Sequence, residues 1–166
     1  MKKVAVAFTG PSNSGKTTLI VKIADILIKS YKVVIIKNDP KDKAIFDTKG
    51  KDSYKFFQTQ AETVILSPTR TTFFSHKQRD LKEVIQMVGD FDILLFEGQK
   101  HIDLPRIAIF RDKIDESYFK YSNAIAIDQS INLNLHDIPK EIDILDLNDP
   151  QMIIKWIEKN AKIKEI

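Results

Sequence analysis

The stretch "VAVAFTGPSNSGKTTLI", residues 4–20, joins an apolar run to a glycine-containing turn and to the start of an amphipathic pattern. The apolar run is typical of a strand that is buried on both faces. Apolar residues then recur at helical spacing from Lys16 to Ser30, and a second run, "KVVIIK" at 32–37, predicts another buried strand. Strand, helix and strand in this order predict a βαβ unit, which builds parallel sheets with helices on their faces.

The rest of the chain continues this alternation of strands and helices. Asn38 to Lys51 is polar and is interpreted as a long loop, and a short helix is predicted from Asp52 to Thr59. Asp149 and Pro150 are typical of the N-cap and first residue of a last helix, whose apolar stripe predicts a core position for Trp156. Further strands are predicted at "TVILS", "TTFFS", "FDILLFEG", "PRIAIFRD" and "NAIAID", and an amphipathic helix at "RDLKEVIQMVG". The sequence therefore predicts an α/β fold with a mostly parallel sheet flanked by helices.

Length and composition limit the class of protein. A chain of 166 residues fits a single domain, predicted over residues 1–166, and 43% hydrophobic with 30% charged residues is an ordinary globular balance. The net charge is +3 and only four of the 26 basic residues are Arg, which argues against a nucleic-acid or membrane partner. The chain has no cysteine, no signal-peptide core and no apolar run of membrane-spanning length, so we expect a cytoplasmic protein.

The turn after the first strand matches the phosphate-binding pattern G-x-x-x-x-G-K-[ST], with Gly10, Gly15, Lys16 and Thr17 at its fixed positions. Glycines let backbone N–H groups point at phosphate oxygens, and the helix that follows adds its positive end. Lys16 is predicted to bridge the β- and γ-phosphates and to act in catalysis, and Thr17 to bind Mg²⁺. The predicted nucleotide-binding loop comprises Gly10, Pro11, Ser12, Asn13, Ser14, Gly15, Lys16, Thr17 and Thr18. The alternative is an incidental turn, but the strand before it and the helix after it favour a P-loop NTPase fold.

Metal binding and water positioning in such folds usually need a carboxylate at the end of a neighbouring strand. Glu97 ends the apolar run of "DILLFEG" and is predicted to be a metal ligand and a catalytic residue; a solvated strand-end Glu is the alternative. Asp39 follows the second strand and is a second candidate metal ligand. Its alternative role is to form the turn before Pro40.

Five segments together resemble the molybdopterin-guanine dinucleotide biosynthesis protein B family. They are "GPSNSGKTTL", "GKDSYKF", "FEGQKH", "IAIFRD" and "LDLND", in the expected order over most of the chain. The resemblance implies a dimeric P-loop protein that binds GTP with Mg²⁺ and hydrolyses GTP slowly. It also implies a role beside the guanylyltransferase that attaches GMP to molybdopterin, with molybdopterin as a further ligand.

The resemblance can be followed position by position, and this chain also departs from it. The loop residues match the family's phosphate and Mg²⁺ positions, "EGQK" at 97–100 its E-G-x-K element, and "GKDS" at 50–53 its G-K-D-[ST] element. Lys37 is kept, but the histidines that commonly follow it are absent from "KNDPKDK", which leaves any metal or anion role of theirs in doubt here. Gln99 stands where an aromatic residue is common, and "TQAE" at 59–62 replaces a small-residue run.

Two lysines of these elements are candidate nucleotide contacts. Lys51 and Lys100 suit an anion pocket because Lys is a mobile point charge, although a merely solvated Lys is equally consistent with the pattern. Asp52 with Ser53 is interpreted either as part of the site or as a helix N-cap. His101 is interpreted as a bystander, and the three histidines have no metal-binding spacing.

The N-K-x-D pattern that reads guanine in many GTPases is absent. Asp128 ends the run "AIAID", where its carboxylate can accept two hydrogen bonds from guanine, and it is predicted to contact the nucleotide. A strand-ending Asp that enters the turn "DQSIN" is the alternative. The choice of GTP over ATP therefore follows from the resemblance.

Two function classes remain at the level of the sequence. The first is a GTP-binding accessory protein with slow turnover, and the second is a P-loop kinase that transfers the γ-phosphoryl group of ATP to a small molecule. Kinases generally close mobile cationic groups over the phosphoryl group. The four Arg residues do not form an Arg-rich lid segment, which favours the accessory class.

Overall fold

The computed structural model describes residues 3–100 and 102–161, which fall into two compact units. The core unit comprises the described parts of Met1–Asn38 and Val88–Ile166, and the insert comprises Asp39–Met87. The helices are α1 Lys16–Leu27, α2 Asp52–Gln58, α3 Leu81–Val88 and α4 Pro150–Asn160. The strands are β1 Val4–Thr9, β2 Val33–Lys37, β3 Thr63–Ser67, β4 Arg70–Phe74, β5 Ile93–Glu97, β6 Arg106–Ile109, β7 Ala124–Ile127 and β8 Asp143–Asp146. The division into two compact units does not by itself test the prediction that residues 1–166 form a single domain.

The sheet of the core unit has six strands in the order β2-β5-β1-β6-β7-β8, and every pair is parallel. Alternate residues of β6 contribute to two apolar clusters, with Ile107 and Ile109 packed in the cluster of α1 and α4, and Ala108 in the other. Both faces of the sheet are thus covered, which explains why its central strands appear in the sequence as continuous apolar runs. The prediction of a mostly parallel sheet flanked by helices is confirmed.

The last helix forms as its sequence indicates. Asp149 is its N-cap, with Oδ1 accepting a hydrogen bond from the Met152 amide at 3.0 Å, and Pro150 is its first residue. Trp156 is buried among the isoleucines of α4, and its indole N–H donates to Asp143 at 2.7 Å. This bond ties α4 to β8.

Three features of the core unit differ from the sequence-based predictions. β2 is not buried: it forms an edge of the sheet, and Ile35 is 49% exposed. β8 was not predicted, because "DILD" offers only two apolar residues between carboxylates. Helix α1 ends at Leu27, three residues before the predicted end.

The insert contains α2, the antiparallel hairpin β3–β4 and most of α3. The rings of Phe57 and His76 stack with centroids 3.9 Å apart, and Phe57 also lies 5.7 Å from Phe74. Arg79 pairs with Glu62 at 2.8 Å. Over the described residues no helix is long and apolar enough to cross a membrane.

Candidate phosphate-binding site

The loop between β1 and α1 has a backbone that only glycine allows at its ends. Gly10 has a φ of 140° and Gly15 a φ of 95°. A Cβ on Gly10 would collide with the carbonyl oxygen of Ile109 on the neighbouring strand. The side chain of Ser14 is buried, and its Oγ has no hydrogen-bond partner among the described residues. An unsatisfied hydroxyl inside the loop fits a ligand with acceptor oxygens, such as a phosphate.

The side chain of Lys16 folds back onto the start of this loop. Its Nζ donates to the carbonyl oxygens of Gly10 at 3.0 Å and Pro11 at 2.6 Å. Burial lowers the pKa of the Lys16 ammonium from its usual value; the Glu97 carboxylate opposes this shift and Lys37 adds to it. A half-buried ammonium that donates hydrogen bonds to two neutral carbonyls is well placed to gain from an anionic partner.

Thr17 and Glu97, two of the three residues predicted as metal ligands, meet beside the loop, and their metal role stays a prediction. The register of β1 on β5 pairs Phe8 with Glu97, which puts the carboxylate at the loop's edge of the sheet. Thr17 Oγ1 lies 3.4 and 3.5 Å from the two carboxylate oxygens. These distances are long for a hydroxyl–carboxylate hydrogen bond but close to the spacing of about 3 Å between adjacent ligands of an octahedral Mg²⁺. The pair therefore fits a magnesium ion.

The residues after Glu97 pack on the end of β2. The Gly98 amide donates to the Phe8 carbonyl at 3.0 Å, and a Cβ on Gly98 would lie 2.8 Å from Cβ of Asn38. Gln99 donates from Nε2 to Asn38 Oδ1 at 3.1 Å. Gln99, which stands where the family commonly has an aromatic residue, is thus hydrogen-bonded to Asn38, in the segment where the family's histidines are absent.

Sequence reasoning missed Arg111. Its Nη2 lies 3.6 Å from where a Cβ of Gly15 would be, so a guanidinium stands beside the phosphate-binding loop. Its Nε donates to Asp128 Oδ2 at 3.0 Å. The available signal was the position of Arg111 just after β6, since strand ends of a parallel sheet meet at one edge.

Asp128 is part of a turn as well as of this ion pair. Its Oδ1 accepts hydrogen bonds from the Ser130 amide at 3.0 Å and from the Ser130 hydroxyl at 2.5 Å. These bonds to Ser130, followed by the charge of Arg111, hold the pKa of the Asp128 carboxyl below its usual value. Asp128 also lines a cavity of about 360 Å³ at the ends of β7 and β8, with Gln129 and Asp146. The nucleotide contact proposed for Asp128 stays a prediction.

The remaining candidates have local partners. Lys100 Nζ lies 3.7 Å from the centroid of the Tyr118 ring, a cation–π contact. Within the insert, Asp39 Oδ2 accepts from the amides of Lys43 at 2.7 Å and Ala44 at 2.6 Å, which is the turn-forming alternative. Lys51 is exposed and precedes α2 without a side-chain cap. The nucleotide or metal roles of these three residues stay predictions.

His101 lies outside the described residues. Among residues 3–100 and 102–161, no three His, Asp or Glu side chains are gathered as a metal site. The Thr17–Glu97 pair is not excluded by this, because Mg²⁺ bound to a nucleotide takes few protein ligands and completes its shell with phosphates and water.

Comparison with known proteins shows which family this chain resembles. Residues 5–129 match the family model described as "Molybdopterin guanine dinucleotide synthesis protein B". A curated relative from Methanocaldococcus jannaschii is 31% identical over 144 residues, which cover 82% of this chain and 59% of that protein. The molybdopterin-guanine dinucleotide biosynthesis adapter protein of Escherichia coli K12 is 27% identical, with 93% of each chain covered.

A solved structure agrees in fold. The crystal structure of Bacillus subtilis MobB superposes with a TM-score of 0.75 at 20% identity, covering 95% of this chain and 98% of that one. The chain spans less than two thirds of the Methanocaldococcus relative and almost the whole of the Escherichia relative. With the loop, the strand order and the family model in agreement, the chain belongs to the molybdopterin guanine dinucleotide synthesis protein B family.

Proposed function

We propose that this protein binds Mg²⁺·GTP at the 10–18 loop and acts as an accessory protein in molybdopterin guanine dinucleotide synthesis. The observation that carries the proposal is the approach of Thr17 Oγ1 to the Glu97 carboxylate beside the Lys16 ammonium. A hydroxyl, a carboxylate and an ammonium at the end of a glycine-containing loop are the groups that hold a triphosphate and its metal.

The roles follow from the chemistry of these side chains. Thr17 and Glu97 would hold Mg²⁺, which supplies charge neutralisation at the phosphate oxygens. Lys16 would exchange its two carbonyl partners for phosphate oxygens, since a charged acceptor bonds an ammonium more strongly than a neutral one. The buried Ser14 hydroxyl would gain an acceptor at the same time.

Turnover at this site is proposed to be slow. Glu97 would hold the metal beside Thr17, and a carboxylate that holds the metal is poorly suited to activate a water. Arg111 is engaged with Asp128 through Nε and would have to turn toward the phosphates to stabilise charge there. Slow hydrolysis suits an accessory protein whose bound state matters more than its product.

Guanine would be read by Asp128 in the cavity at the ends of β7 and β8. A carboxylate has about four acceptor positions, and three are used by Ser130 and Arg111. To accept the two N–H groups of guanine with both oxygens, Asp128 must therefore release one of these bonds. Since Oδ1 accepts both bonds from Ser130 and, within the described residues, Oδ2 accepts only the bond from Arg111, the released bond is one from Ser130, and base recognition is coupled to this turn in the proposal.

The test is calorimetric titration of the purified protein with Mg²⁺·GTPγS and, separately, with Mg²⁺·ATPγS. Preference for the guanine nucleotide supports the accessory function. Preference for the adenine nucleotide would instead favour the alternative, a P-loop small-molecule kinase, and a search for its phosphoryl acceptor. Absence of binding to both nucleotides would refute the proposal for the isolated chain.

The proposed partners follow from the family and need their own tests. They are the guanylyltransferase that joins GMP to molybdopterin, molybdopterin itself and a second copy of this chain. A pull-down of the guanylyltransferase by the protein loaded with Mg²⁺·GTPγS tests the first of these. Sedimentation that shows only monomer at high concentration would exclude the homodimer.

A further inference from the structure

We propose a second ligand site, within the insert, for a 2-amino-4-oxopyrimidine ring that carries a phosphate ester. This chemistry is shared by a pterin phosphate and a guanine nucleotide. The inference rests on the proposed function in its choice of ligand class. Its physical basis is a cavity of about 270 Å³ whose lining includes Phe46, Asp47, Ser53, Arg70, Thr72 and Phe74.

One face of the hairpin β3–β4 forms a wall of this cavity. Arg70, Thr72 and Phe74 alternate along β4 and therefore point to the same side of the hairpin. Four steps along a strand cover about 13 Å, so a cation and an aromatic ring stand at opposite ends of this wall. The separation between Arg70 and Phe74 matches a ligand whose flat ring lies near the aromatic end of the wall and whose short phosphate arm reaches the cation.

One oxygen of a carboxylate in this cavity has no hydrogen-bond partner within the described part of the chain. Asp47 Oδ1 accepts a hydrogen bond from the Thr48 amide at 2.8 Å, whereas the buried Oδ2 has no hydrogen-bond partner among the described residues. A buried carboxylate oxygen is costly when it is unsatisfied. The 2-amino and ring N–H groups of a 2-amino-4-oxopyrimidine form a planar pair of donors that matches both oxygens of one carboxylate.

The other groups complement the remainder of such a ligand. The Phe46 ring is 83% exposed although it lines the cavity, and stacking on a flat heterocycle would cover it. Ser53 and Thr72 supply hydroxyls for the ring's polar edge. The Arg70 guanidinium has no ion pair among the described residues and suits a phosphate.

The size of the cavity favours a small ligand. Its volume lies just below the roughly 300 Å³ at which sites for drug-sized molecules begin. One bicyclic ring with a phosphate arm fits this volume better than a nucleotide with its ribose. The observations therefore favour a pterin phosphate over a guanine nucleotide, and the experiment separates the two.

The test is fluorescence anisotropy of 6-hydroxymethylpterin phosphate titrated with the full-length protein. Asp47→Asn is expected to weaken binding at least about tenfold. The substitution replaces one of the two carboxylate oxygens that accept from the ring N–H groups with an amide NH₂ group, which is itself a donor. Asp42→Asn is the matched control: it makes the same charge change in the same loop, at a residue that does not line the cavity. Arg70→Ala should lower the affinity for the phosphate ester several-fold and leave the affinity for unesterified 6-hydroxymethylpterin unchanged.

A GMP titration identifies the natural source of the ring. It is run in a Lys16→Ala background so that the 10–18 loop does not contribute. GMP binding that Asp47→Asn abolishes, at higher affinity than the pterin ester, would assign the cavity to a guanine nucleotide and support the ligand class. Absence of pterin-phosphate and GMP binding to this cavity, or equal binding by Asp47→Asn, would overturn the site.

Failure of this inference is distinguishable from failure of the proposed function. Mg²⁺·GTPγS is titrated into the same native sample, and its affinity is expected to be unchanged by Asp47→Asn, which reports that the core unit of the variant is folded. Hydrogen exchange of the β3 and β4 amides, compared between the variant and the native protein, reports the folding of the insert. GTPγS binding without binding of the pterin phosphate or GMP to the cavity refutes the insert site alone. Binding of pterin phosphate without GTPγS binding refutes the nucleotide proposal and supports the insert site.

Discussion

The core unit and the insert differ sharply in how much apolar surface they bury. Every buried hydrophobic residue of the described chain lies in the core unit, from Val4 in β1 to Ala161 after α4. None of residues 39–87, all of them described, has a buried apolar side chain, and Ile45 and Leu66 are 87% and 79% exposed. The insert is held instead by ring stacking, by an ion pair and by its hairpin.

Because of this difference, the two units differ both in how they are stabilised and in the kind of ligand site that each one carries. A unit of about 50 residues without a buried core is too small to be stable through its own packing. The core unit carries the candidate phosphate-binding loop at the end of a buried strand, whereas the insert carries a cavity formed by a loop, a helix residue and a hairpin. The first arrangement suits a preformed site, and the second suits a site that tightens when its ligand binds.

The largest expected effect is on hydrogen exchange. Amides of β1 and β5 should exchange at least about a thousandfold more slowly than those of β3 and β4, because only the former open with the buried core. Exchange followed by mass spectrometry, at a concentration where sedimentation detects only monomer, measures this ratio. Equal protection in the two units would break the comparison.

Lys16→Ala tests whether the core unit carries nucleotide binding. The affinity for Mg²⁺·GTPγS should fall about a hundredfold, since charge-assisted bonds to two phosphates are lost. Folding should be retained, because the substitution removes a half-buried charge whose bonds in the free protein go to neutral carbonyls.

Lys22→Ala, on the exposed face of the same helix, is the control and should bind normally. Lys51→Ala tests the lysine that the sequence predicted in the insert. A larger loss in Lys51→Ala than in Lys16→Ala would move the nucleotide site away from the loop.

Glu97→Gln tests the metal ligand. The gain in GTPγS affinity that Mg²⁺ produces should shrink about tenfold, because a neutral amide is a weaker ligand for a hard cation than a carboxylate. The measurement is the ratio of affinities with Mg²⁺ and with EDTA, and Glu158→Gln on the exposed face of α4 is the control. The same ratio in Asp39→Asn decides whether the insert contributes a metal ligand. An unchanged ratio in Glu97→Gln would remove Glu97 from the metal site.

The smallest expected effect is on pH dependence. The pKa of Lys16 is lowered in the free protein by burial, and phosphates raise it in the complex, so binding takes up a proton between these two values. The GTPγS affinity should therefore fall a few-fold as the pH rises through the lowered pKa of the free protein. Calorimetry in two alkaline buffers of different ionisation heat measures the proton uptake. Proton release on binding would contradict the sign of this shift.

Local patterns were sufficient to predict much of the core unit and of its site. The apolar run of 4–8, the motif around Lys16 and the caps of α4 are sequential features, and each formed as its residues indicate. Glu97 was predicted because parallel strands bring their ends to one edge of the sheet. These features depend on neighbours within a few residues or on a rule that holds for parallel sheets in general.

Other features could not be predicted from neighbours along the chain. β8 pairs with β7 despite its sparse apolar content, and its Leu145 packs in the same apolar cluster as α1 and α4. The exposure of Ile35 depends on the place of β2 at the sheet edge, which its own residues do not encode.

The sequence by itself determined the glycine-containing loop at 10–18, the parallel α/β architecture and the family of this protein, because each is encoded in a contiguous motif or a period of residues. Only the tertiary structure brought Thr17 to Glu97, set Arg111 beside Gly15 and left Asp47 Oδ2 buried without a hydrogen-bond partner among the residues described. These are contacts or burial among residues that are distant along the chain. They arise from strand order and hairpin register, which no single segment specifies.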